Sequence, residues 1–272
     1  MGALSPGQKD LLFRVSTAAV GLPIVGALVF WHDSRGFTAL CLLVALLALA
    51  EYTALTMPGR PVAERIGIVL VGCGLFLGLT IRPELGLAWL FASVLACALL
   101  LLPRATDLPA AWTRMAQAGF GVFYVGGLLA ALPLLHARMG SAWVALAIAV
   151  TFGNDTGAYF VGRAFGRHKL APAISPGKTI EGAVGGLVAS LAVVIAAQEL
   201  FMPALTLRDC AMIGVPAAIV GPAGDLTESL LKRAAGAKDS GRLLPGHGGI
   251  LDRIDALLFV GAYVGLYAIC LR

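Results

Sequence analysis

What most limits how this chain can fold is a series of apolar runs, each long enough to cross a bilayer, repeated along almost its whole length. Phe37 to Leu49 carries no charge at all, and comparable runs recur to the C-terminus. About 20 apolar residues cross the hydrocarbon core as a helix. Dividing the chain at that length gives nine expected spans, near 14–31, 36–56, 66–81, 85–102, 118–135, 141–159, 180–201, 209–223 and 249–271. Of the 272 residues, 59% are hydrophobic and 13% charged, about half the charged share of a soluble domain. A soluble single core has no place for such runs. The expected class is an all-α, polytopic integral membrane protein with about nine transmembrane helices. No linker, repeat or low-complexity tract separates domains, so 1–272 reads as a single membrane domain with a helical half of about 1–140 and a second half of about 141–272.

Basic residues accumulate in cytoplasmic loops, which tests this division independently. Alternate connections hold two or more: Arg60 and Arg65; Arg104 and Arg114; Arg163, Arg167, Lys169 and Lys178; Lys232, Arg233, Lys238 and Arg242. The others hold one each, Arg35, Arg82, Arg138 and Arg208. With Lys9 and Arg14 at the start, the N-terminus is expected in the cytoplasm. The segment that follows lacks a small-x-small cleavage site, so a retained first span is expected. The net charge of +5 follows from topology. With no aromatic–basic interleaving, no nucleic-acid partner is expected. Cys41, Cys73, Cys97, Cys210 and Cys270 lie in apolar segments without a C-x-x-C pair, and read as small apolar fillers. Small-xxx-small spacings such as Gly74 with Gly78 and Gly182 with Gly186 suit close helix packing and dimerisation.

The charges are not spread evenly. Of the 20 Lys and Arg and 15 Asp and Glu, ten fall between Asp225 and Asp255 and six between Asp155 and Glu181. A central charge in a span costs about 2.5–3.5 kcal/mol on insertion scales, so such clusters need a ligand or a partner. Asp225, Glu228, Ser229 and Lys232 recur at i, i+3, i+4 and i+7, which puts one polar face on a helix. An ion-pair stripe such as Glu228 with Lys232 is the plainer reading of that face. Asp252 and Asp255 are three apart and share a face if a helix begins there. Acids at a helix start are favoured by its dipole; together with Asp225 they also make three hard oxygen donors of the kind Mg²⁺ or Mn²⁺ takes. Lys232, Arg233, Lys238, Arg242 and His247 stand around them, with Gly246, Gly248 and Gly249 letting backbone approach a ligand. Mixed acids and bases fit a metal-bridged nucleotide phosphate.

The earlier cluster offers Asn154, Asp155 and Tyr159, then Ser175, Lys178, Thr179 and Glu181. Ser175-Pro176-Gly177-Lys178-Thr179 has a phosphate-loop flavour, but the first glycine of a Walker A spacing is missing. Lys178, beside two hydroxyls, is a phosphate candidate. Arg163, Arg167 and Lys169 equally suit a basic loop that merely obeys topology.

These residues resemble the phosphatidate cytidylyltransferase (CDP-diacylglycerol synthase) family. The resemblance rests on Ser229, Leu231, Lys232, Arg233, Lys238, Asp239, His247, Gly248, Gly249, Asp252, Arg253 and Asp255, a long pattern with many fixed positions. Asp155 to Tyr159 with Gly162-Arg163, and Ile174-Ser175-Pro176 through Lys178-Thr179 and Glu181-Gly182, are similar to the family's second region. Gly177 stands where a lysine is usual and Ile180 where an aromatic residue is.

The resemblance implies CTP plus phosphatidate giving CDP-diacylglycerol and pyrophosphate with Mg²⁺, and with room for a second cation. It implies Asp225, Asp252 and Asp255 as metal-holding carboxylates and Lys232, Arg233 and Lys238 as grips on phosphate. Ser175, Lys178, Thr179, Ser229, His247, Gly248, Gly249 and Arg253 would contact substrate, with Glu228 and Asp239 orienting them. CTP, phosphatidate and the bilayer are the expected partners, with a homodimer in prospect. The expected location is the inner or plasma membrane, with the site facing the cytoplasm. A polyprenol or phytol kinase and an ion-coupled transporter are the rival readings.

Overall fold

The computed structural model describes residues 19, 21, 23–31, 33–241 and 248–272. They fall into two compact units: Met1–Gly126 with Ala237–Arg253, and Gly127–Gly236 with Ile254–Arg272. Among the described residues, eight helices are long and apolar enough to cross a membrane. The chain is an all-α, multi-pass membrane protein. The first expected span, 14–31, lies partly outside the described residues; 23–30 within it are helical.

The first unit begins with α1 (Ser34–Thr56), capped by the Asp33 side chain on the Arg35 N–H. α2 (Val62–Ile81), α3 (Gly86–Leu101) and α4 (Leu108–Gly121) follow, α4 starting under an Asp107 cap on the Ala110 N–H. Met57, Ile68, Leu75, Cys97 and Leu101 form a buried core. Lipid tails are as apolar as leucine, so helices associate in a membrane through close fit rather than hydrophobic transfer. Glycines supply that fit here. A methyl group at Gly72 would overlap Leu49, one at Gly121 the Tyr52 ring, and one at Gly126 the Gly72 carbonyl. Tyr52 Oη donates to the Gln117 carbonyl at 2.8 Å, tying α1 to α4. Of the glycines expected to pack, Gly78 meets the Trp89 ring, whereas Gly74 has nothing within 4 Å.

The second unit holds α5 (Ala131–Met139), α6 (Ser141–Phe165), a hairpin of β1 (Lys169–Ala171) and β2 (Ser175–Thr179), α7 (Ile180–Leu200), α8 (Leu207–Ala234) and most of α9 (Leu251–Leu266). α6 and α7 touch backbone to backbone. A methyl at Gly157 would sit 2.7 Å from the Gly185 carbonyl oxygen, and one at Gly185 2.9 Å from that of Gly157. Gly157→Ala is therefore expected to lower stability by about 1–3 kcal/mol, the usual penalty of overpacking, seen as a reduced melting temperature in detergent.

Two helices run further than hydropathy suggests. α6 continues from the expected 159 to Phe165 and α8 from 223 to Ala234, because the polar residues keep the helical period after the apolar ones run out. Arg163 and the whole polar face from Asp225 to Lys232 thereby stand on the same helices as the apolar runs before them. α8 opens with a reciprocal capping box between Thr206 and Asp209 and accommodates Pro216 and Pro222, as membrane helices do when neighbours satisfy the freed carbonyls.

The hairpin is antiparallel, pairing Lys169 with Thr179 and Ala171 with Ser175. Glu181, in the first turn of α7, closes its base. Its carboxylate accepts from the Arg167 N–H at 3.0 Å and the His168 N–H at 3.2 Å, and meets His168 Nδ1 at 2.6 Å. An acid that could have served ion coupling is a fastener for a turn.

Candidate active site

In the second unit, α6, the hairpin and α8 enclose a cavity of about 740 Å³, lined among others by Asp155, Tyr159, Arg163, Ser175, Lys178 and Asp225. Each reaches it for a local reason. Asp225 projects from the polar face of α8. Lys178 comes from β2, whose strand ends at Thr179, the residue that caps α7 by accepting from the Gly182 N–H at 3.1 Å. Arg163 lies one turn beyond Tyr159 on α6 and donates to its hydroxyl at 2.8 Å.

The central contact is an ion pair, Lys178 Nζ to Asp225 Oδ2 at 2.8 Å. Ser229, one turn on, donates to Asp225 Oδ1 at 3.1 Å. Lys232 pairs with Glu228, which is fully buried. Asp155 on α6 and Asp255 on α9 lie within electrostatic reach of Asp225, with Lys178 and Lys232 as counter-charges. The α8–α9 contact that brings Asp255 close depends on Gly224, where a methyl would stand 3.1 Å from the Phe259 ring and overlap the Asp255 backbone. Arg233 is exposed and reaches back to the hairpin, Nε to the Ile174 carbonyl at 3.4 Å.

Asn154, one residue before Asp155, also lines the cavity. It is 2% exposed, and neither atom of its carboxamide has a hydrogen-bond partner. Room for it comes from the absence of a side chain at Gly186, where a methyl would strike Asn154 Oδ1. An orphaned buried polar group costs about 1–3 kcal/mol, and native structures keep few of them without a reason.

In the first unit, Ser240 and Gly249 are gathered around Asp252. Its Oδ2 accepts from the Ser240 N–H at 2.9 Å, the Ser240 hydroxyl at 2.8 Å and the Gly249 N–H at 2.8 Å. Gly248 adopts φ +79°, a left-handed conformation that glycine takes without penalty. Lys238, Asp239 and Arg253 are exposed. His247, Gly246 and Arg242 lie outside the described residues.

The expected residues therefore divide. Asp225, Ser229, Lys178, Ser175, Thr179, Lys232, Arg233 and Asp255 belong to the second unit; Lys238, Gly248, Gly249, Asp252 and Arg253 belong to the first. Among the described residues, no three Asp, Glu, His or Cys side chains converge as a ready-made metal cluster. Magnesium in nucleotide enzymes, however, is held by one or two carboxylates plus substrate phosphates rather than by an all-protein cage. Asp225 and Asp255, hard oxygen donors with Asp155 beside them, fit that requirement. Asp252 fits it separately: anchoring one carboxylate oxygen with three donors orients the group, as hydrogen bonds to ligating carboxylates do.

Asn154 and Asp155, offered by the sequence without an assigned role, are cavity walls in the second unit; Glu51 of the first unit, which accepts from the Leu251 N–H, was not among the expected residues. An acid inside a span is by itself a functional signal, and Glu51 carries it.

The chain matches the cytidylyltransferase family over residues 12–271. A phosphatidate cytidylyltransferase of Brucella suis is 35% identical over 272 residues, covering 96% of this chain and 94% of the relative. One from Brucella melitensis is 36% identical at the same coverage. One from Staphylococcus haemolyticus is 49% identical over 121 residues, 44% of this chain and 46% of the relative.

Proposed function

Since the chain belongs to the cytidylyltransferase family, we infer that it transfers CMP from CTP to phosphatidate, giving CDP-diacylglycerol and pyrophosphate for phospholipid synthesis. The observation that carries this is relatives named for that activity aligned along nearly the whole chain, together with a cavity whose walls join acids to basic side chains.

In the reaction, a phosphate oxygen of the lipid attacks the α-phosphorus of CTP. A new P–O bond forms, the bond to the β-phosphate oxygen breaks, and pyrophosphate leaves with its electrons. A phosphomonoester has a second pKa of about 6, so the nucleophile is largely ionised near neutrality and needs no strong base. What the protein supplies is position and charge. Lys178, with Ser175 and Thr179 on the same strand, is placed to hold a phosphate at the cavity wall. Lys232 and Arg233 from α8 add positive charge for phosphate oxygens in the second unit, and Lys238 and Arg253 are the corresponding bases of the first. Asp225 and Asp255 are the carboxylates we assign to magnesium in the second unit, with Asp252 a ligand candidate in the first. When bound, the ion neutralises charge on the triphosphate and on the departing pyrophosphate. The excess of Lys and Arg in alternate loops supports a site on the cytoplasmic side of the cell membrane.

We assign Asn154 to substrate, because a polar ligand in the cavity would satisfy the carboxamide that the protein leaves orphaned. Asn154→Leu should then abolish most activity without lowering the melting temperature, since it removes an unsatisfied buried group. A lowered melting temperature would make Asn154 a structural residue instead.

The direct test is pyrophosphate release by the purified protein in detergent with CTP, phosphatidate and Mg²⁺. ATP, diacylglycerol and EDTA are substituted in turn. Release should require all three components. ATP- and diacylglycerol-dependent turnover would replace this reading with a lipid kinase.

A further inference from the structure

α9 begins at Leu251. The first N–H groups of a helix have no intrahelical acceptor, and a Ser, Thr, Asn or Asp just ahead usually supplies one. Here the preceding residue is Ile250, which has no acceptor in its side chain. The Leu251 N–H instead donates to Glu51 Oε2 at 3.0 Å, a carboxylate 200 positions earlier in the sequence. Glu51 stands on α1, within a candidate membrane span.

The same oxygen lies 3.3 Å from Ser240 Oγ. A hydroxyl has one proton, and the shorter bond, 2.8 Å to Asp252 Oδ2, takes it. Asp252 thus holds Ser240, and Glu51 holds the N–H of Leu251 immediately before Asp252. Neighbouring backbone is shaped to admit Glu51: a methyl at Gly241 would come within 2.7 Å of its carboxyl carbon, and one at Gly249 within 2.8 Å. Glu51 Oε1, against Gly241, is buried without a hydrogen-bond partner. A local Ser or Asp at the helix start would cap α9 without leaving a buried carboxylate oxygen unpartnered. The arrangement makes sense if what must be fixed is Ser240, Gly249 and Asp252 together, not the helix end alone.

We propose that Glu51 is a positioning residue for the cytidylyl transfer: from α1 it caps α9 at Leu251 and so fixes Asp252 and, through Asp252, Ser240 and the glycine turn at 248–249 in their working geometry. Glu51 touches no substrate in this account. It acts through Asp252 and through the exposed Arg253 and Lys238 carried by the same segment. The inference rests on the function given above.

The test compares wild type with Glu51→Leu, close in volume but with no acceptor for the Leu251 N–H. Residues that orient a ligating side chain typically change activity about 10- to 100-fold. Glu51→Leu should therefore lower kcat by about that factor, with the KM for CTP little changed. Hydrogen exchange of the 248–253 peptide should quicken, a readout independent of turnover. Ile250→Ser added to Glu51→Leu should slow that exchange again by providing a local cap. Wild-type kcat in Glu51→Leu, or unaltered exchange at 248–253, would overturn the proposal. Absence of CTP- and phosphatidate-dependent pyrophosphate release from the wild type would overturn the functional reading instead, leaving the exchange result to stand or fall by itself.

Discussion

Asp225→Asn should lower kcat by about 10²- to 10³-fold, the range seen when one preorganised charge-stabilising group is removed from an active site. Two effects combine. The carboxylate that faces Lys178 at 2.8 Å is lost, so the lysine no longer has a fixed position against the phosphate it is to hold. The negative charge assigned to magnesium is lost at the same residue and one of its two oxygen donors with it, which should raise the Mg²⁺ concentration needed for half-maximal rate. Ser229 can still donate to the amide oxygen, so the fold should survive; circular dichroism and a melting curve separate loss of chemistry from loss of structure. A variant with wild-type Mg²⁺ dependence would take Asp225 out of the metal assignment, whatever its kcat.

Asp252 carries the second large effect, and its two replacements should differ in kind. Its Oδ2 accepts three hydrogen bonds, so Asp252→Ala leaves three donors without their acceptor. At about 1–3 kcal/mol for each buried unsatisfied group, the loop and the start of α9 should loosen, with faster exchange at Ser240 and Gly249 and activity near background. Asp252→Asn keeps one oxygen, enough to anchor the loop or to ligate but not both. It should preserve slow exchange while losing activity by about 10²-fold or more. Near-wild-type activity in Asp252→Asn would reduce Asp252 to an anchor for the loop.

Particular residues account for what could be read in advance. The polar face of α8 was legible because Asp225, Glu228, Ser229 and Lys232 keep a helical period even where the apolar residues stop. The run of spans was legible because a bilayer allows so few alternatives. Helix ends were less so: hydropathy fades at about 159 and 223, while backbone hydrogen bonding continues to Phe165 and Ala234, and only Gly166 and Gly236 mark the stops. The hairpin was hidden by its brevity and by Pro176 and Gly177, residues that argue against a strand in the interior of a sheet but not at an edge. Glu51 sits in the run LALAEYTAL, where a single acid is easily absorbed into a span. Its partners Ser240 and Leu251 lie far away in sequence, and nothing local announces them.

The length of α8 works as a depth gauge. At about 1.5 Å per residue, Asp225 is about 27 Å along the helix from its capped start at Leu207, and Lys232 about 37 Å. The hydrocarbon layer is about 30 Å thick, so the helix outlasts it by roughly two turns, and its polar face begins where the acyl chains give way to glycerol and headgroups. On α6, Arg163 stands about 33 Å from Ser141 by the same measure. A lipid whose tails remain among its neighbours would carry its phosphate at just this level, and could be converted without being lifted from the leaflet it occupies.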